Sequence, residues 1–185
     1  MLLDEGLCLT WVPPSPVLDR LFSAASAQER RSVIGRSWKT IVVASERELD
    51  EVTKPALRHY ASFARNAADA VKSGHHVAGQ ALAANLLDTV LKREFTKKSS
   101  RAITDQSLRF DINEYPLRLA LVLGGIWGAY LQYWPSNGDK IPTRFSRHAS
   151  AHGVSPRQYS RINATISIMH VAALLRALQW QLERA

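Results

Sequence analysis

The sequence predicts an all-α fold, a helical bundle of about five or six helices. Three observations carry that reading. Apolar residues recur at helical spacing along most of the 185 residues. Helix-start signals, Ser or Pro ahead of an apolar run, punctuate the chain. No stretch of any length alternates apolar and polar residues as a half-buried strand would.

"PPSP" at residues 13–16 ends an irregular entry segment, with Ser15 as a cap and Pro16 as a first helical residue. Ser26-Ala-Gln-Glu29 is a capping box that opens a helix reaching about Val52. Pro55 restarts the chain into "ALRHYASFARNAADAVKS", which Gly74 is placed to close. From His76 to Phe95 the apolar positions Leu82, Leu86, Val90 and Leu91 again keep the helical period. Residues 96–111, with Lys97, Lys98 and Arg101, are polar and basic and read as a loop.

The next helix is expected from about Glu114 to Trp134, apolar on nearly every face and carrying Gly124, Gly125 and Gly128. Each glycine costs helix propensity of about 1 kcal/mol against alanine, a cost that the close approach of another backbone would justify. Pro135 and "SNGD" stop that helix. Ser155-Pro156-Arg157-Gln158 combines an N-cap, a proline at N1 and a glutamine at N3, so the last helix is expected from near Pro156 to about Glu183. Its stretch "ATISIMHVAALLRAL" has little polar surface and belongs at the centre of the core, at an interface, or both. His170 within it reads as a satisfied core histidine. Asn85 and Asp88, three apart on an apolar helix, read as a buried hydrogen-bonded pair or as groups that orient a site.

Composition narrows the function classes. The one cysteine, Cys8, leaves no intramolecular disulfide, which suits a reducing compartment. The N-terminus has no positively charged n-region, and the longest apolar tract, Leu119–Leu131, is too short to cross a bilayer. A soluble cytoplasmic protein is the expectation. The formal charge is +8, and between Lys140 and Leu182 six Lys or Arg residues meet no acid at all. Such a tract is either a phosphate-facing surface, with Arg144, Arg157 and Arg161 as the contacts, or a solvated basic face.

Inside that tract lies "RHASAHG", residues 147–153. His148 and His152 are spaced to share one helix face, as metal ligands often are. Ala149, however, stands where a zinc-protease helix has its glutamate, and no acid nearby completes a ligand set. The flanking arginines would oppose a cation, so neither metal nor other cofactor is expected. A histidine can instead move a proton near neutral pH while an arginine binds a phosphate bidentately. Those two groups suffice for RNA cleavage without a metal. On a regular helix, side chains five apart point about 140° from each other, so Arg147 and His152 of one chain do not converge. Two copies across a two-fold axis bring them together, and the glycine-bearing and last helices offer interface surface.

The stretch "FSRHASAHGVSPRQYSRINATISIMHVAALLRAL" resembles the HEPN superfamily, helical domains that include many ribonucleases of defence, toxin–antitoxin and RNA-processing systems. Arg147, the polar His148, three variable residues and His152 match its motif, and a long apolar closing helix follows. The similarity covers about residues 76–184, which makes 76–185 a HEPN-like core and 1–75 an N-terminal helical extension of unknown role.

The resemblance implies an endoribonuclease that leaves a 2′,3′-cyclic phosphate, with Arg147 on the scissile phosphate, His152 in proton transfer and His148 at the polar position. It also implies a homodimer with a composite site, RNA as substrate, and an antitoxin or regulatory protein as a further partner. In one toxin branch a modified tyrosine follows the histidine by two residues; Val154 stands there, and Tyr159 is too far along. A non-catalytic module that binds RNA, a nucleotide or a protein would use the same cleft. A DNA-contacting helix from Ser155 is a third reading, without a preceding helix at turn distance. Trp134, beside a loop, can stack on a base.

Overall fold

Nine α-helices follow one another along residues 1–108 and 110–184, the residues that the computed structural model describes, with no strand among them. They are α1 (Leu2–Glu5), α2 (Ser15–Ser23), α3 (Ala27–Asp50), α4 (Pro55–Lys72), α5 (His76–Glu94), α6 (Lys97–Thr104), α7 (Leu117–Ala129), α8 (Arg147–His152) and α9 (Arg161–Leu182). Single 3₁₀ turns at Ile112–Glu114 and Pro135–Asn137 flank α7. The helical class holds; the number of helices exceeds the expected five or six because α1, α6 and α8 are too short for a periodicity reading to find.

Helix α9 is the axis of the fold. Arg31 and Gly35 near the start of α3 meet Asn163 and Ile162, while Glu48 and Thr53 meet Arg176 and Gln179 near the far end. The two helices therefore run parallel. A further layer is the α4–α5 hairpin, which turns at Gly74 (φ 89°). A Cβ on Gly79 would lie 2.7 Å from the Ala67 carbonyl oxygen, so glycine lets those helices touch. At the open end of the hairpin Tyr60 donates to Glu94 at 2.9 Å.

All but the rim of α9 is buried, from Asn163 to Gln179, with Arg176 the one cation inside that span, its side chain mostly buried and paired to Glu48 at 2.8 Å. By length and composition α9 could cross a membrane, yet 89% of its apolar window is buried against its own chain. Each fully buried Leu or Ile there contributes about 1.5–3 kcal/mol. The core takes residues from both the first 75 positions and the remainder, from Leu7 to Leu178.

Local signals predicted some boundaries well and others poorly. The capping box forms at Ser26, whose Oγ accepts from the Glu29 amide, while the Glu29 carboxylate accepts from Ala25 N at 2.7 Å. Helix α2 begins one residue early, with Pro14 in the cap position and Ser15 inside the helix. Part of the expected 96–111 loop is helix α6, capped by Thr96 Oγ1 on Ser99 N; Arg109 lies outside the described residues. Helix α7 starts only after Pro116 and ends at Ala129, short of Trp134.

The last helix begins at Arg161, not at Pro156. Ser160 caps it, and Ser155–Gln158 forms a separate turn because the Gln158 side chain is needed elsewhere. Asn85 is exposed and donates to Ala81 of its own helix, so it does not pair with Asp88.

The glycines of α7 accept the N-terminal segment of the same chain. A Cβ on Gly128 would run into the Leu3 carbonyl oxygen, and one on Gly125 would lie 2.8 Å from the Leu7 and Cys8 backbone. The two surfaces expected to serve an interface, α7's glycine face and α9, are thus covered from within. Beneath that strap, His170 fulfils its expected core role. Its Nε2–H donates to the Gly6 carbonyl at 2.8 Å, which leaves Nδ1 facing the Cys8 thiol at 3.3 Å. Burial drives the imidazole pKa down to about 4, against the smaller opposing effect of the Gly6 bond.

A folded pKa below the unfolded value of about 6.5 means that the unfolded chain binds the proton preferentially at acid pH. Stability from neutral His170 is therefore complete above about pH 6.5 and is lost as pH falls toward 4, to a total of roughly 3 kcal/mol. Urea midpoints of the original protein should fall steeply over that range. His170→Gln, which keeps a donor for Gly6 but cannot titrate, should show a clearly shallower slope.

Candidate functional site around the motif helix

The motif is itself a helix. Ser146 caps α8 by accepting from Ala149 N at 3.1 Å, and Ala149 and Ser150 turn inward. Six residues are far too few to be helical alone, so tertiary bonds hold them. Gln158, fully buried, accepts from Ser146 N at 3.0 Å through Oε1 and donates through Nε2 to Pro142 O and Arg144 O. Gln80 of α5 donates to Ser150 Oγ at 3.0 Å and to Gln158 O at 3.2 Å. Asn163 of α9 donates to Thr143 O and Gln158 O, and Tyr159 O–H to Ser150 O.

That scaffold fixes where the predicted residues point. Arg147 leans on α5, where its Nη2 lies 3.0 Å from Asp88 Oδ2; both side chains are mostly buried. Asp88 also meets Lys92 at 2.7 Å and accepts from the Tyr130 hydroxyl at 3.3 Å. Burial pushes the Tyr130 phenol well above its ordinary value, and the Asp88 carboxylate adds to the rise, so Tyr130 stays a donor. Asp88, expected either to pair with Asn85 or to orient a site, is the residue that holds Arg147. Its signal was an acid on an apolar helix face, spaced i, i+4 from a lysine.

His148 and His152 share the outer face. Their rings stack at 6.0 Å between centroids and 21° between planes, and the Trp134 ring lies 6.1 Å from each. His148 is half-buried against the edge of Tyr130. Its Nδ1 is buried with no hydrogen-bond partner among the described residues. Burial is the main cause that lowers its pKa, with the charges of Arg147 and His152 adding to it. Asp88 and a Thr104 backbone bond oppose them. The imidazole is therefore neutral at pH 7. His152, by contrast, is exposed at the end of α8, beside a tryptophan face that is 43% exposed.

Arg147 and His152 of one chain diverge as the helical geometry requires: one reaches α5, the other reaches solvent. Of the three further arginines, two share a cavity and Arg161 lies in a different groove. Arg144 donates to the Asp4 carbonyl oxygen and lines a cavity with Arg157. Arg161 stacks its guanidinium 5.2 Å from the Trp38 ring in another groove. No group of three or more metal-ligating side chains converges among the described residues. Chemically, the motif offers an exposed imidazole, an aromatic platform and a guanidinium held by a carboxylate.

Separating Asp88 from Arg147 leaves one charge mostly buried without its partner. We expect Asp88→Ala to cost roughly 2 kcal/mol, below the range for fully enclosed pairs because water still reaches both groups. A double-mutant cycle of Asp88→Ala with Arg147→Gln, read by urea denaturation, should return a coupling of about 1 kcal/mol or more. No protein-family model, curated protein or solved structure matches the chain.

Proposed function

We propose that this protein is a metal-independent endoribonuclease of the HEPN type, acting as a homodimer. The observation that carries the reading is His152, an exposed imidazole at the end of the motif helix, seated against the open face of Trp134. A base stacked on Trp134 would bring a ribose close to that imidazole. The imidazole takes the proton of the 2′-hydroxyl, whose oxygen attacks the adjacent phosphorus. The P–O5′ bond breaks, a second acid protonates the departing oxygen, and the products are a 2′,3′-cyclic phosphate and a 5′-hydroxyl.

Arg147 supplies charge to the phosphate in that reaction, and because it faces away from His152 of its own chain, the phosphate lies between two copies. With α7 and α9 covered, a surface open to a second copy is the groove between α4 and α5, where Phe63 is exposed and Leu82 partly so. The same helix, α5, carries Asp88 and Lys92. A second basic groove supports an RNA path: Arg36, Lys39 and Arg161 surround Trp38, and Gly74 and His76 line both this groove and one bounded by Val154. Val154 is two residues beyond His152.

One observation favours a non-catalytic reading: the Arg147 charge is already matched by Asp88. In that case the cleft binds RNA or a partner without cleaving it.

Incubation of the purified chain with mixed RNA in EDTA separates the two. Cyclic-phosphate ends are expected from the original protein, with rates down about 100-fold or more for His152→Ala and Arg147→Ala of matched fold. Binding without new ends, or equal cleavage by all three proteins, sinks the nuclease assignment.

A further inference from the structure

Away from the motif, the N-terminal strap, the start of α3 and the segment ahead of α8 enclose a cavity of about 410 Å³. That volume lies in the range of small-ligand pockets, roughly 300–1,000 Å³. Its walls are apolar at Leu7, Ile141, Pro142 and Ile166, and four cations line it: Arg31, Lys140, Arg144 and Arg157.

Arg31 is the informative member. It is half-buried, and both of its terminal nitrogens donate to one neutral acceptor, Asn163 Oδ1, at 3.2 Å. No carboxylate lies within ion-pair distance of it among the described residues. A guanidinium withdrawn from water without a counter-charge is costly, and burial lowers the Arg31 pKa accordingly. Arg144 is also half-buried and bonded to the Asp4 backbone carbonyl, and the Asp4 and Glu5 charges reach it without an ion pair among the described residues. Burial is the main influence on its pKa too, and lowers it.

Two carboxylates border the cavity, but they do not neutralise it. Glu5 is held by Arg30, whose Nη2 lies 2.7 Å away, and Asp4 is exposed. The charge left over inside the cavity is positive.

The geometry points to a binding site for a small phosphate monoester, with the phosphate on Arg31 and Arg144 and the organic body against Ile141 and Pro142. Arginine suits that group because its planar fork matches phosphate oxygens two at a time. The wall is preorganised: Thr143 O is held by Asn163, and Pro142 O and Arg144 O by Gln158. The Arg31 charge then has the partner that the chain itself does not supply. The site stands whether or not the chain cleaves RNA, since it shares no residue with the Arg147–His152 face.

Calorimetric titration of the full chain with AMP and phenyl phosphate, beside adenosine and phenol, tests it. Both esters are expected to bind, with the uncharged counterparts about tenfold weaker or more. Arg31→Gln keeps a donor for Asn163, and Arg144→Gln keeps an amide donor in place of the one that meets the Asp4 carbonyl; each should weaken ester binding about tenfold or more while the unliganded protein melts near its original temperature. Arg47→Gln, at an exposed position of α3 outside the cavity lining, should leave binding unchanged. Absence of ester binding at millimolar concentration, equal binding of the uncharged compounds, or binding that survives both pocket substitutions overturns the assignment.

Discussion

A buried amide, Gln158, holds the motif segment of this molecule in place. Its side chain accepts from the backbone that caps α8 and donates to two carbonyls ahead of it, while Gln80 and Asn163 close on its own backbone oxygen. All three amides are fully buried. In such surroundings an unmade hydrogen bond costs about 1–3 kcal/mol, so the network tolerates few arrangements of residues 142–163. A six-residue helix with no stability of its own thereby acquires a fixed orientation. The orientation of Arg147, His148 and His152, and of the cavity wall at Pro142–Arg144, follows from it.

Around that scaffold, charge is arranged in opposite ways on two faces. On the α5 side, Asp88 balances Arg147 and Lys92, and Tyr130 adds a hydroxyl donor. The neighbouring His148 stays neutral because burial, with the Arg147 charge beside it, disfavours its proton. On the α3 side, Arg31 and Arg144 are withdrawn from water with only neutral oxygens as hydrogen-bond partners. Stability alone favours the first arrangement. The second is the kind that persists when something outside the chain completes it.

The N-terminal strap shows how one local oddity can mislead. Three glycines in an apolar helix signal that a backbone comes close, which is correct for Gly125 and Gly128. The approaching backbone is Leu3 to Cys8 of the same chain, and His170 fastens the strap by bonding Gly6. The sequence shows that a close neighbour exists; it does not show whose backbone that is.

Helical periodicity, caps and breakers act within a few residues, so the sequence by itself determined the all-α class, α3 to α5, the capping box at Ser26 and the burial of α9 with His170 inside it. It also placed Arg147, His148 and His152 on one short segment. Where two local signals competed it misread the outcome: Ser155-Pro156-Arg157-Gln158 looks like a helix start, but Gln158 is worth more as a buried network member than as an N3 residue. The match of Asp88 to Arg147, the stack of His148, His152 and Trp134, and the meeting of Arg31 with Arg144 in one cavity were decided by the tertiary structure alone. Each joins groups from elements far apart in the chain, and which side chains meet depends on how whole helices pack, a relation that no local pattern encodes.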